Sequence, residues 1–452
     1  MRTFIGGLIA LSLIFGINRA DATDSETVVL VNRQGDAVGT SVFTSLYYYG
    51  GGIYQGTLKG ARKVELFNRD GEKIEVPLPP GYKFEQLILK REIKGKTMAL
   101  PDDTLMVVSH VGLNGIVDKH GKFLMPPEYD SIRFLGGKIY ILTKTVPNTS
   151  QRQSVFFDVE SGHSSKEPFT AEGYNFGPVG DGRIAFEAPP VRDAPYGGWS
   201  SSKHGYCDID HNTIIPAIYE WNGAFVDGLA IVRVPRSSIS SEKRTEQNAS
   251  SPSRNVYIDK TGKIVEPELE PVSLFNANGL AFAARATNPG VVGIINRKFE
   301  FVAEPAYETI NQVASDTYAG SSPNHKPIVL LSTTGKKIFD FPSTVTSVEG
   351  YNGPGSIDLG FIVAEESDSI SKLPDGYKNH NVLMDLNGKT IIPSKYYLDP
   401  PRNGLVVATS GFENDRTCGV MNLKGEFLIP LQSAFFSVTE PDRLIKTIPE
   451  GK

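Results

Sequence analysis

The chain has 452 residues, and its 46 Lys and Arg against 51 Asp and Glu give a formal net charge of -5. That balance excludes the strongly basic surface on which nucleic-acid binders depend. With 45 Gly, 30 Pro, 24 Phe and 18 Tyr and no long amphipathic run, the composition suits many short strands joined by tight turns.

In chain order, the first signal is at the start. Arg2 precedes an apolar run over residues 4–17, and Ala20, Asp21 and Ala22 place small residues where a signal peptidase reads them. The expectation is a signal peptide over residues 1–22, cleaved after Ala22. An apolar run of about 14 residues falls short of the roughly 20 that span a bilayer. No later run is apolar for long enough to cross, so the mature chain is expected to have no stable transmembrane segment and to be periplasmic or secreted. Residues 46–54, LYYYGGGIY, read either as a strand with alternate tyrosines buried or as an aromatic sugar-binding platform.

Residues 115–132, GIVDKHGKFLMPPEYDSI, are the clearest local signal. Two short apolar runs, at Ile116 and Val117 and at Phe123 to Met125, flank a polar tetrad, which predicts a β-hairpin. Gly121 supplies the positive φ of its turn, and the Asp118 carboxylate can accept backbone N–H groups two residues on. Pro126 and Pro127 are expected to end the second strand, because they cannot donate to a ladder. Tyr129, Ile132 and Phe134 follow, then a turn at Gly136 and Gly137 and an apolar run at 139–142. This makes four short strands in roughly 40 residues, about the size of a propeller blade.

The same frame returns at residues 205–216, 256–267, 293–304, 382–393 and 419–430, and weaker copies start near Val29, Glu65, Val155 and Val329. An array over residues 23–452 of about ten units results, starting near 29, 65, 115, 155, 205, 256, 293, 329, 382 and 419. Each unit is roughly 36 residues plus an insertion. The insertions, at 143–154, 188–203, 235–254, 364–381 and 409–417, all follow a second apolar run such as Gly228 to Val232. Loops at one recurring point emerge on one face, which in repeat proteins is often the binding face. The 235–254 insertion, rich in Ser and charge, is expected to be a mobile loop and leaves possible halves at 23–234 and 255–452. Ile116 beside Val117 shows apolar side chains on both faces of a strand, as in sheets stacked between neighbours. The fold class is thus all-β, with tandem repeats as propeller-like ring or rings or as an open β-solenoid.

The frame G-x-x-D-x-x-G-K, an apolar run, P-P-x-Y-D-x-I and then G-L-A resembles the WG-repeat family of bacterial proteins across nearly all of the chain after residue 22. The family's tryptophan is missing: Asn114, His204 and Cys418 stand in its slot, which leaves Tyr129, Tyr219, Tyr307 and Tyr396 as recurrent large aromatics. The resemblance implies an all-β repeat fold and an interaction role, with no shared catalytic residues.

Motifs with chemistry are sparse. Asp208, Asp210 and Asn212 open like a calcium loop, but Thr213 and Tyr219 stand where Gly and Glu belong. His204, Cys207 and His211 match no standard zinc spacing. Both read more simply as turn polarity, so no metal and no cofactor is expected. Cys207 and Cys418 are too few for a disulfide framework. A bridge between them needs a ring or a folded-back array, and two buried thiols are the alternative. Tyr196, Trp199, Tyr377 and Phe412 are large aromatics in polar insertions and are the candidate ligand-binding residues, since such side chains bury much area at little entropic cost. No G-x-S-x-G, P-loop or H-E-x-x-H appears, so no enzyme is expected. The reading is an exported non-catalytic binding or scaffold protein recognising a protein or glycan of the cell envelope. A β-propeller-type hydrolase acting on envelope or extracellular glycan is the alternative; it would need two carboxylates about 5–10 Å apart in a central cleft.

Overall fold

The structure, a computed structural model, describes residues 19–21, 26–88, 100, 103–190, 202–239, 252–314, 316–322, 328–343, 345–349, 360–366, 380–411, 416–440 and 442–449. Among the described residues the elements are β-strands, apart from one short 3-10 turn at Arg236–Ser238.

The hairpin at the centre of the frame forms as its residues dictate. Strands Leu113–Asp118 and Phe123–Tyr129 pair antiparallel. Between them Asp118 Oδ1 accepts the N–H groups of His120 and Lys122, both at 2.9 Å, and Gly121 has φ +81°. The same pair of bonds recurs at turns headed by Asn32, Asn68, Asp208, Asp259, Asn296, Asp385 and Asn422. Asp158 and Ser332 head shorter versions. Asn and Asp interchange because both present the oxygen that accepts these two bonds. Each Asn head adds a bond from its Nδ2 to the acid four residues on, as from Asn68 to Glu72 at 3.0 Å.

The second strand does not stop at Pro126 and Pro127, where it was expected to end; it runs through both to Tyr129. The strand is the outer edge of its sheet, and its pairing is bulged between Met125 and Tyr129, so no ladder bond calls on the missing N–H groups. The bulge also explains the first glycine of the frame. A Cβ on Gly115 would lie 2.8 Å from the Met125 oxygen, and one on Gly205 would lie 2.6 Å from the Ile215 oxygen. Proline and glycine are two sides of one close crossing.

A frame does not make one sheet. Its hairpin supplies the third and fourth strands of one sheet, and the two strands that follow open the next: Leu105–His110 and Lys83–Ile88 join the Asp118 hairpin, while Ser131–Gly136 and Ile139–Thr145 begin another sheet. We number the sheets by where their first strands begin, at Phe435 (sheet 1), Phe43, Lys83, Ser131, Asn175, Trp221, Leu269, Thr309, Val345 and Tyr397 (sheet 10). Sheets 1 and 2 are continuous through Val28 opposite Phe43, and sheets 9 and 10 share the strand Thr390–Leu398.

Each sheet is apolar on both faces and packs between two others. Ile116 faces sheet 4 beside Tyr140 and Leu142, whereas Val117 faces sheet 2 beside Ile53 and Leu66. Ten buried clusters occupy the contacts between successive sheets, and the last of them joins sheet 10 to sheet 1, through Val420 and Ile429 against Phe436 and Leu444. The circuit is therefore closed, a ring of the propeller kind rather than an open solenoid or two rings. Tyr129, Tyr219, Tyr307 and Tyr396, at the ends of outer strands, each reach into the cluster shared with the following sheet. Neighbouring sheets also approach closely at first strands: Gly136 and Gly137 lie against Val179, and Gly180 lies against the backbone of Phe225.

Closure is made by the chain's two ends. Glu26–Val31 pairs with Arg443–Pro449 from Glu26 opposite Pro449 to Val31 opposite Leu444, so an early strand is the third strand of a sheet begun by the last two. An ionic cluster fastens this sheet to the next. Arg69 Nη2 donates to both Asp442 oxygens at 2.9 and 2.7 Å, and its Nε lies 3.5 Å from Glu440. Tyr48 donates to Glu440 at 3.1 Å, and Arg443 donates to the Arg69 carbonyl at 2.9 Å and to Asp70 at 3.1 Å.

The slot vacated by tryptophan is used differently. Asn114 Nδ2 donates to the carbonyls of Tyr129 and Asp130, Asn255 Nδ2 to that of Pro271, and the buried Asn381 to that of Leu398 at 3.1 Å. Each amide ties a third strand to the passage between its sheet and the next. Asn381→Ala leaves the Leu398 carbonyl without this donor and is expected to cost about 1–3 kcal/mol. Urea denaturation measures it, and a loss within error of zero would remove the amide from the account.

Candidate functional site

Strands alternate in direction, so the connection from second to third strand leaves each sheet at the same edge as the passage to the next sheet. Insertions in five sheets sit at that connection. They lie between Ile139–Thr145 and Arg152–Asp158, Arg183–Glu187 and His204–Cys207, Leu229–Pro235 and Ser253–Asp259, Phe361–Glu366 and His380–Asp385, and Leu405–Ser410 and Thr417–Asn422. The shared loop edge is thus a property of the topology. The first of these insertions is shorter than its 143–154 bounds, since half of it is strand and Val146 N bonds Gln151 O to close the hairpin. In sheet 6 the strands on either side of residues 236–252 pair with each other, so that segment interrupts a hairpin within one sheet.

Tyr196, Trp199, Tyr377 and Phe412 lie outside the described residues; the roots of their loops do not. The 191–201 segment springs from Ala188 N bonded to Lys203 O, beside His204 opposite Tyr219. Two residues on is Trp221, 48 % exposed and opposite Arg233, with Ile218 58 % exposed just before it. Trp221 opens the first strand of sheet 6, a slot that holds Ser131 and Thr309 elsewhere, so no repeat signal marks it in the sequence. Burial lowers the His204 pKa, which keeps its imidazole neutral near pH 7. At the passage from sheet 3 to sheet 4 the edge is polar. Lys144 donates to Glu128 at 2.8 Å and lies over the Tyr129 ring, while Asp130 Oδ2 accepts both the N–H and the hydroxyl of Thr145 at 2.7 Å. Burial, with Glu128 adding, pushes the Tyr129 hydroxyl up to about 12.

The metal motifs resolve into repeat geometry. Asp208 Oδ1 accepts two backbone N–H groups of its own turn, and Asp210 accepts the Lys166 N–H at 3.1 Å and lies 3.5 Å from His163. The first cause of the lowered Asp210 pKa is that Lys166 bond. His211 stacks on Phe169 with centroids 3.9 Å apart and rings 7° from parallel. His204, at the loop edge, is at the opposite end of its strand from Cys207 and the His211 turn. Among the described residues no three His, Cys, Asp or Glu side chains group to hold a metal.

Cys207 is buried between sheets 4 and 5 and Cys418 between sheets 10 and 1, so they are two free thiols in separate contacts. Burial pushes the Cys207 thiol up to about 12. The reactive thiolate is then scarce at pH 8, and thiol reagents are expected to label Cys207 only after unfolding. Labelling at native rates typical of a free cysteine would contradict its placement.

Residues 46–54 are a structural seam. Tyr48 bonds Glu440, Tyr54 bonds Thr439 at 2.9 Å, and Tyr49 packs in the cluster between sheets 2 and 3, where burial pushes its hydroxyl up to about 12. Tyr48 and Tyr54 join sheet 2 to sheet 1 and Tyr49 joins it to sheet 3, so the three do not form an exposed sugar platform.

Ten sheets of mostly four strands, packed in a closed circuit, define a β-repeat ring of the propeller type. The model for the WG containing repeat matches residues 115–141 and 205–234, each match covering the last two strands of one sheet and the first two of the next. No curated protein matches the sequence. Among solved structures the chain is similar to a eukaryotic initiation factor, at 10 % identity and TM-score 0.42 over 95 % of this chain and 99 % of that one. It is also similar to prolyl oligopeptidase B from Galerina marginata, at 8 % and 0.32 over 84 % and 54 %, and to a putative TolB from Agrobacterium tumefaciens, at 11 % and 0.24 over 53 % and 87 %. Likenesses this loose carry no functional argument. No helix among the described residues is long and apolar enough to cross a membrane.

Proposed function

We propose that this protein is an exported, non-catalytic binding or scaffold protein that recognises a protein or glycan of the cell envelope through the loops of one ring edge. The observation that supports it most is that five insertions sit at second-to-third connections and therefore on one edge of the circuit; the long connections at 89–104 and 350–360 join first to second strands instead. Fixed strands beneath variable loops are a recurrent arrangement for recognition. The exposed Ile218 and Trp221 at the root of the loop that holds Tyr196 and Trp199 give that edge an apolar anchor with polar surroundings. Export rests on the apolar run at 4–17 and the small residues before Thr23; the mature protein then begins at Thr23 and fractionates outside the cytoplasm.

Affinity capture from envelope extract tests the reading, using the intact protein, forms with residues 191–201 or 367–379 replaced by short Gly-Ser linkers, and Trp221→Ala. Loss of the same captured species in the loop variants and in Trp221→Ala, with the circular dichroism of the ring unchanged, is the expected result. Capture undiminished by all three would move recognition off this edge.

A further inference from the structure

First strands form the inner margin of the ring, and in nearly every sheet the first strand ends the hydrogen-bonded order. Sheet 2 differs. Arg19–Asp21 lies antiparallel along its first strand, Phe43–Gly50, with Arg19 opposite Tyr47, Ala20 opposite Leu46 and Asp21 opposite Ser45. The second strand, Ile53–Leu58, holds the other edge of the same residues. Residues 45–47 are thus paired on both sides, one of them by the last residues before the expected cut at Ala22.

We propose that the inner edge of residues 45–47 is a strand-acceptor site, which takes an extended polypeptide in antiparallel register. The chain's own residues 19–21 hold it in the uncut form, and an extended segment of a protein partner takes it once they are removed. A sheet edge offers unpaired N–H and C=O groups to any extended backbone, and strand addition uses main-chain bonds for affinity. The local sequence keeps the edge open: the strand ends at Gly50 and turns through Gly51 and Gly52, all three at positive φ, which carry no side chain over the approach. Leu46 is buried beneath, and its neighbours Tyr48 and Tyr54 are fixed by Glu440 and Thr439, so the acceptor strand is held rigid before anything docks. The segment that leaves and the strand that stays are contiguous, because Glu26–Val31 continues from it into sheet 1. Cleavage after Ala22 would separate the occupant from the fold without removing a strand of the ring. The proposal rests on that cleavage, which the mass of the mature amino-terminal peptide tests separately; it does not depend on the loop edge.

The probe is a fluorescent peptide of residues 15–24, titrated into the chain of residues 23–452 and into the uncut chain. Saturable binding to the cut chain and at least tenfold weaker binding to the uncut chain are expected. N-methylation of the peptide at residues 19, 20 and 21 should weaken binding at least tenfold, whereas Ala at Arg19 and Asp21 should change it less than about threefold, because the backbone carries the contact. In the uncut chain, Ala20→Pro should speed amide hydrogen exchange at residues 45–47 at least tenfold. No peptide binding to folded cut chain, or unchanged exchange in Ala20→Pro, overturns the proposal. Binding lost with the side chains but kept with N-methylation overturns it equally.

Discussion

Arg69→Ala is expected to destabilise the protein by about 3–5 kcal/mol, the range for leaving one member of a buried ion pair without its partner. Its side chain is 16 % exposed and that of Glu440 only 7 %. Their separation of 3.5 Å, with the two Arg69 bonds to Asp442, joins the turn of sheet 2 to the first hairpin of sheet 1. Removing the guanidinium leaves the Glu440 carboxylate with the Tyr48 hydroxyl alone among the contacts described above. The sheet it unfastens is the one that holds both chain ends, so the loss falls on closure. Chemical denaturation of the variant measures the effect. A double change, Arg69→Met with Glu440→Leu, removes the charges together and is expected to recover most of the loss. An Arg69→Ala cost below about 1 kcal/mol would show the cluster to be a solvated surface pair.

Gly180→Ala is the second large effect, expected at about 3 kcal/mol or more. A Cβ there would overlap the Phe225 carbonyl oxygen, and it is backbone on both sides that must move. Gly182, two residues on, is the control: its φ is +72° and nothing lies within 4 Å of its Cβ position. Gly182→Ala is therefore expected to cost only the left-handed backbone penalty of about 1–2 kcal/mol. Equal costs at both positions would mean that sheets 5 and 6 do not approach as described.

The contrast between these sites shows what can be read in a sequence of this kind. The turn headed by Asp118 is legible because its chemistry is local, an acceptor oxygen and a glycine within four residues, and the copies headed by Asn68 and Asn422 are legible for the same reason. Two-faced strands were legible too, since Ile116 beside Val117 leaves no polar side to expose. Membership of sheets was not, because the frame is cut from the chain two strands out of phase with the sheets. The expected stop at Pro126 and Pro127 failed through the same long-range fact, as an outer strand can carry prolines that an inner strand cannot. Arg69 and Asp442 are 373 positions apart, and nothing near either predicts the other. Of the candidate site, the shared edge was legible from where insertions recur, whereas Trp221 occupies a position that the repeat leaves free to vary.

The central claim is that one circuit of sheets is closed by pairing Glu26–Val31 with Arg443–Pro449, and cysteines at opposed, half-buried Thr27 and Ile448 test it most directly. Facing residues of an antiparallel pair lie at about the 4.5–5.5 Å Cα separation that a disulfide bridges. Mild oxidation of the folded Thr27→Cys, Ile448→Cys protein is predicted to link the two peptides within nearly every monomer, as read by mass spectrometry of the digest. Free thiols or links only between molecules, in a protein that keeps its β-sheet spectrum, would mean the two ends lie apart and the ring does not close.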